Sequence, residues 1–252
     1  MSTDKFTGMA QEYAKYRPAY PENLYKFLYH SLDFSQQKIL ADIGAGTGKF
    51  SLPLLENGYK VYCIEPNQDM KDKMDETSGV YENYVGICAS AERTTLANQS
   101  VDHIVCAQAF HWFHESLFKE ECRRILKPGG NVVLIWNTRD ANDEMNKVHY
   151  SINKQYCPEF KTFSGGYNKI DPDQFNDFFS NCPCDYKVFE NTPHYESADI
   201  FIGRCLTGSY APKKSNHNYT PYVDALKNMC EKYASHQDLM IKSNTVIYWG
   251  TV

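Results

Sequence analysis

Apolar positions in the first 150 residues follow two alternating patterns. After Pro21, Leu24, Phe27, Leu28 and Leu32 recur at helical spacing, Asn67 is placed to cap a helix carrying Met70 and Met74 on one face, and Leu117, Phe118, Cys122 and Ile125 form a third stripe. Continuous apolar runs lie between them, at 39–41, 60–65, 101–107 and 131–137, and predict buried strands. Strands alternating with helices predict βαβ units and a mostly parallel sheet, an α/β fold. The third stripe stops at Lys127-Pro128-Gly129-Gly130, where proline and glycine cannot continue a helix. Residues 138–184 change character: rich in Asn, Asp, Lys, Phe and Tyr, without strong apolar periodicity, they read as an insertion or lid. The pattern resumes with a strand at 186–190, helices near 198–206 and 223–234, and a strand at 245–249. A strand so late in the chain predicts one domain, 1–252. Residues 1–30 would form an N-terminal cap arm, and 138–184 and 196–244 insertions on the substrate side. There is no internal repeat.

Composition narrows the class. The chain has 252 residues, 42% of them hydrophobic, enough to bury a core without crosslinks. The balance of 26 basic against 31 acidic side chains, a net charge of -5, predicts no general attraction to nucleic acid. No apolar run is long enough for a membrane helix, and MSTDKFTGMAQEYAKYRP lacks a hydrophobic signal core. The nine cysteines include no C-x-x-C pair, which predicts free thiols in a reducing compartment, the cytoplasm. The tight pair Cys182-Pro183-Cys184 reads as two ordinary thiols, and no metal site is expected.

The chemistry concentrates in Ile39-Leu40-Ala41-Asp42-Ile43-Gly44-Ala45-Gly46-Thr47-Gly48, an apolar strand entering a loop with glycine at every second position. Such a loop can turn sharply and let a ligand rest on its backbone. It is not a P-loop, because Gly48-Lys49 is followed by Phe50 and the earlier glycine would fall on Ile43. The dinucleotide fingerprint fails as well, its third glycine falling on Lys49. The pattern D-x-G-x-G-x-G remains.

With that pattern the chain resembles the class I S-adenosylmethionine-dependent methyltransferases, whose first strand ends in an acid followed by G-x-G-x-G. Val61-Tyr62-Cys63-Ile64-Glu65-Pro66 resembles the second strand of that family and its exit, and Ile125-Leu126-Lys127-Pro128-Gly129-Gly130 a characteristic turn. Tyr13 to Pro21 together with Gln108-Ala109-Phe110-His111-Trp112-Phe113 look like the type 11 branch, which includes trans-aconitate-methyltransferase-like enzymes. The resemblance covers nearly the whole chain. It implies a doubly wound Rossmann-like fold, a mostly parallel seven-stranded sheet with a C-terminal reversed hairpin and a helical lid or insertion.

The same resemblance implies S-adenosylmethionine as cofactor and a small-molecule methyl acceptor, with a carboxylate oxygen as one candidate, and no nucleic-acid or membrane partner. Gly44, Ala45, Gly46 and Gly48 would lie near the methionine portion and Glu65 on the ribose diol, which two carboxylate oxygens suit. Pro66, Met70, Ala91 and Glu92 would surround the adenine, with Gln108 and Ala109 at the fourth strand's exit. Asp42 would orient the loop or the cofactor amino group. Arg17 suits either the cofactor carboxylate or an anionic substrate, since a guanidinium fork matches a carboxylate. His111 is the candidate catalytic residue, as general base or substrate-orienting group, the alternative being that it packs the strand end. Two other functions stay open: a non-catalytic cofactor-binding regulator and a nicotinamide-dependent oxidoreductase. Pro53 departs from the pattern, since it falls in the helix expected after the glycine loop and fits only its first turn.

Overall fold

A computed structural model describes residues 3–167, 170–181, 183–234 and 238–252. Cys182, and with it the tight cysteine pair, lies outside them. In chain order the regular elements are α1 (Ala10–Tyr16), α2 (Glu22–Ser31), β1 (Ile39–Ile43), α3 (Leu52–Glu56), β2 (Lys60–Ile64), α4 (Gln68–Ser78), β3 (Tyr84–Ile87), β4 (Val101–Ala107), α5 (Glu115–Ile125), β5 (Leu126–Arg139), α6 (Glu144–Tyr156), β6 (Asp185–Glu190), β7 (His194–Tyr195), α7 (Ala198–Leu206), α8 (Tyr219–Tyr233), β8 (Leu239–Met240) and β9 (Ser243–Gly250). Seven strands form one sheet in the order β3-β2-β1-β4-β5-β9-β6. The first five run parallel, and β9 inserts antiparallel between β5 and β6, so the sheet closes on the expected reversed hairpin.

Physical reasons for most elements are local. Asn67 Oδ1 accepts from the Met70 backbone N at 3.1 Å and starts α4, burying Met70 and Met74 against the sheet. Pro53 sits in the first turn of α3, where its missing N–H costs nothing; the helix is accordingly short, and the loop before it turns through Gly48 N to Ala45 O and Leu52 N to Gly48 O. At the end of α5 the helix stops as the proline and glycines demand. The Lys127–Gly130 segment is nevertheless drawn into β5, with a register shift between Val101 and His103 on β4 taking up the irregularity.

Residues 138–184 depart from the expectation of a segment without helical periodicity, because α6 occupies 13 of them. Its buried face joins Met145 and Ile152 with Asn146, His149 and Asn153. Three polar residues on the inner face mask the stripe. They are held there by contacts that form only on folding: Arg139 donates to Asn146 Oδ1 at 3.1 Å, and Tyr222 to Asn153 Oδ1 at 2.8 Å.

The sheet is covered on both faces. One core joins Ile104, Leu134, Trp136 and Phe178; the other joins Leu24, Leu28, Leu40, Leu54 and Met74. A third cluster, including Met145, Phe163, Phe201, Tyr222 and Leu239, unites α6, α7 and α8 beyond the sheet. The segments 138–184 and 196–244 thus share one core, although the strand β6 separates them in sequence. Among the described residues no helix is long and apolar enough to cross a membrane.

Candidate active site

The sheet order reverses between β1 and β4, and in such sheets ligands lie beyond the carboxyl ends of the strands at that point. A narrow cleft of about 120 Å³ opens there. Its walls come from the exits of three neighbouring strands: Asp42, Gly44, Ala45 and Gly46 after β1, Glu65, Pro66 and Asn67 after β2, and Gln108 and Ala109 after β4. Met70 closes one side, and Phe6, Tyr13, Tyr20 and Trp112 contribute an aromatic wall.

The three glycines of the loop have different duties. All have positive φ: +73° at Gly44, +58° at Gly46 and +78° at Gly48. A Cβ on Gly44 would meet Ala109 Cβ at 2.5 Å, so this glycine lets the exits of β1 and β4 touch. At Gly46 a Cβ would meet nothing within 4 Å, and this is the glycine whose bare backbone faces open space. Gly48 packs behind the loop against Met74 and does not line the cleft.

Glu65 ties loop and strand together. Its Oε2 accepts from Gly46 N at 2.9 Å and its Oε1 from Asn67 N at 2.8 Å, leaving a lone pair on each oxygen. Burial raises its pKa and the two backbone bonds oppose the rise. Asp42 is more deeply enclosed, at 1% exposure. Its Oδ2 accepts from Ser51 Oγ at 2.6 Å, whereas Oδ1 is buried with no partner. Desolvation pushes its carboxyl up to about 7, with the Ser51 bond pulling down and the Glu65 charge adding to the rise.

A second, wider cavity of about 590 Å³ adjoins the first and shares its wall of Phe6, Tyr13, Tyr20, Lys49, Gln108 and Trp112. The N-terminal arm makes much of this roof. Phe6 packs edge-on to Trp112 at 5.8 Å, Gly8 N donates to Asp69 Oδ2 at 2.7 Å, and Lys49 Nζ donates to the Ala14 carbonyl at 2.8 Å. His111 lines the second cavity, its Nδ1 buried without a partner. Burial, with the Arg17 charge beside it, pulls the imidazole down to about 4. Gln108 carries φ of +59° at the boundary, an uncommon conformation for its type, held by Gln108 N donating to the Ile135 carbonyl at 2.8 Å.

With this geometry in view, comparison with known proteins is decisive. Residues 41–134 match the family described as a methyltransferase domain. The chain is 33% identical over 178 residues to a protein of Dictyostelium discoideum named as a methyltransferase, covering 67% of this chain and 66% of that one. It is 36% identical over 135 residues to an uncharacterized methyltransferase of Mycobacterium bovis, covering 54% and 53% of the two chains. The chain belongs to the class I S-adenosylmethionine-dependent methyltransferases. It spans between about half and two thirds of the length of those two relatives. In fold it resembles a type II methyltransferase structure from Anaeromyxobacter dehalogenans, with a TM-score of 0.63 and 22% identity over 93% of this chain and 97% of that one.

S-adenosylmethionine is the cofactor of the family, and the cleft suits it. The orphaned Asp42 oxygen offers a buried acceptor to a cationic group, the spare lone pairs of Glu65 suit a vicinal diol, and Gly46 leaves its backbone bare. Of the residues singled out in the sequence, Asp42, Gly44, Ala45, Gly46, Glu65, Pro66, Met70, Gln108 and Ala109 are brought together here. The others go elsewhere. Ala91 is packed in the core, and Glu92 Oε1 accepts from His114 N at 2.8 Å at the start of α5, so neither lines the methyltransferase cleft. Arg17 lies in the second cavity, donating to Thr207 Oγ1 at 3.0 Å and to the Thr207 carbonyl at 2.7 Å. Phe6, Lys49 and Asn67 line the cleft without having been singled out for it. Lys49 was legible as the residue after the last glycine; Phe6 carries no local signal, since only the folded arm places it there.

Proposed function

We propose that this methyltransferase transfers the methyl group to a small acceptor in the second cavity, and that the accepting atom is a carboxylate oxygen. The observation that carries the reading is the continuity of the two cavities across Gln108 and Trp112. When bound, S-adenosylmethionine would supply a methyl group on a sulfonium, activated for in-line displacement by an acceptor lone pair with the thioether as leaving group. On the chain's side, Glu65 receives the diol, Asp42 faces the amino group, and the aromatic wall excludes water and favours a cation.

The acceptor's protonation argues for a carboxylate. With its imidazole near 4, His111 is neutral at physiological pH and a weak base. Among the described residues, the one carboxylate lining the second cavity, Glu159, is held by Lys5 Nζ at 2.8 Å. An acceptor that arrives already deprotonated needs neither group as a base, and no proton has to move. His111, whose ring lines the cavity, then serves as an orienting contact. The size of the cavity favours a small molecule over nucleic acid. The eight free cysteines among the described residues suit a reducing compartment such as the cytoplasm.

The test uses S-adenosylmethionine labelled in its methyl group and a panel of small carboxylic acids, amines and alcohols. Label that appears in an acid and is released as methanol by mild base supports the reading. Label stable to base, or found only in amines or alcohols, refutes the carboxylate assignment while leaving methyl transfer in place. No turnover with any of the panel, despite tight cofactor binding, counts against catalysis on small acceptors.

A further inference from the structure

The second cavity is lined on one side by arginines drawn from three distant parts of the chain. Arg17 follows α1, Arg139 ends β5 and Arg204 lies on α7. All three act on the ionisation of the same two neighbours, Cys205 and Tyr210, so the guanidiniums converge on one region. Among the described residues none of the three has a carboxylate within ion-pair distance; the arginine that does is Arg124, with Glu121. Arg17 spends two of its N–H groups on Thr207. Arg139 donates one to Asn146 Oδ1 and lies 5.1 Å from the Phe163 ring centre. The Nε of Arg204 is sealed from solvent with no partner.

Like charges gathered in a partly dry site without a counter-ion are costly. Burial and the Arg204 charge together pull Arg139 down to about 10, whereas Tyr195, Cys205, Tyr210 and Tyr222 around Arg204 hold its guanidinium above the usual range. A fold normally sheds such an arrangement unless something outside the chain neutralises it. The guanidinium fork is made for an oxyanion. Among the described residues the one carboxylate on the cavity walls is Glu159, and Lys5 engages it.

We propose that Arg139 and Arg204, with Arg17 beside them, form a subsite that binds a carboxylate group of the acceptor. This rests on the reading of the second cavity as the acceptor's. It deepens that reading by assigning the residues that select the substrate: acids are held, while the corresponding amides and amines are rejected because they leave the guanidiniums unpaired. Arg204 is the central member, lining the cavity from α7 with no carboxylate within ion-pair distance among the described residues.

The test measures binding, not turnover. Wild-type protein is titrated by calorimetry and thermal unfolding with succinate, its diamide and inorganic phosphate, each with and without S-adenosylhomocysteine. Succinate is expected to bind and to raise the unfolding midpoint, and the diamide to do neither. Arg204→Met, which fills similar volume without charge, is expected to weaken succinate roughly ten- to a hundredfold, the scale of lost charge-assisted bonds. The S-adenosylhomocysteine shift should survive. Without ligand, Arg204→Met should still unfold in one cooperative transition, so that lost succinate binding reports the subsite and not a failure to fold. Arg139→Gln, which keeps a donor for Asn146, provides a second variant should the first fail to fold. Unaltered succinate binding in the variants, equal binding of the diamide, or no succinate binding to wild type would overturn the proposal. Binding of phosphate without succinate would overturn the carboxylate assignment. Failure of the cofactor reading would show separately, as an absent S-adenosylhomocysteine shift in wild type.

Discussion

Replacing Asp42 by asparagine isolates the energetic consequence of burying a carboxyl beside the glycine loop. The substitution keeps the shape of the side chain and an oxygen to accept from Ser51 Oγ, and removes only the ability to ionise. In the folded, ligand-free protein the carboxyl is pushed up to about 7 by desolvation, from an ordinary value of 3.8. A group whose folded pKa lies above its unfolded one contributes stability that is complete below the unfolded pKa and is lost as pH rises through the folded pKa. Here that window runs from about pH 4 to about pH 7. Integrating over both states, wild type should lose about 2.5 kcal/mol between pH 5 and pH 8 that Asp42→Asn does not lose. At this chain length the difference is roughly 5 to 10 °C in the unfolding midpoint. Urea unfolding of both proteins at pH 5, 6, 7 and 8 measures it directly, other titrating groups cancelling to first order in the comparison. The variant should overtake wild type in stability as pH rises. Parallel pH profiles for the two proteins would show that Asp42 ionises normally in the fold, and the argument from its orphaned oxygen would fail.

Three further predictions concern the cleft and its neighbour. Glu65→Gln should weaken S-adenosylhomocysteine binding by roughly 1 to 3 kcal/mol, since an amide cannot accept on both sides of the diol, and should also lower the stability of the free protein, because one of the bonds from Gly46 N and Asn67 N is lost; an unchanged dissociation constant by calorimetry would remove Glu65 from the site. Gly46→Val should abolish cofactor binding and cost about 1 to 3 kcal/mol in stability, because a β-branched residue is forced to φ of +58° in otherwise open space; normal binding by a folded variant would make the loop purely structural. His111→Asn, once an acceptor is identified, should raise KM more than it lowers kcat and leave the pH profile of kcat unchanged between pH 6 and 8, as an orienting group that is already neutral requires; loss of an ionisation near neutrality from that profile would restore His111 as the base.

The cleft at the ends of β1, β2 and β4 was largely legible before folding, for a reason visible in its residues. Asp42, Gly46 and Glu65 sit within three residues of the ends of consecutive strands, and local chemistry dictates both the strand and the turn that follows it. Asn67 caps α4 through a bond spanning three residues, and Pro53 finds the one helical position that tolerates it. Where the sequence misled, a distant contact had intervened. Residue order places Glu92 beside the cleft, yet its carboxylate turns to the start of α5; α6 hides its inner face behind asparagines and a histidine whose partners lie on other elements.

Sequence alone determined the alternation of strands and helices, the glycine loop and the acid at each strand end, because backbone conformation and capping are set by neighbours a few residues apart. Tertiary structure alone decided which polar groups are buried and which charges meet. The proton affinities of Asp42 and His111 follow from desolvation, and the cluster of Arg17, Arg139 and Arg204 exists only where the N-terminal arm, the end of β5 and α7 converge. Dielectric environment and charge proximity are properties of three-dimensional packing, and they set the chemistry of the second cavity.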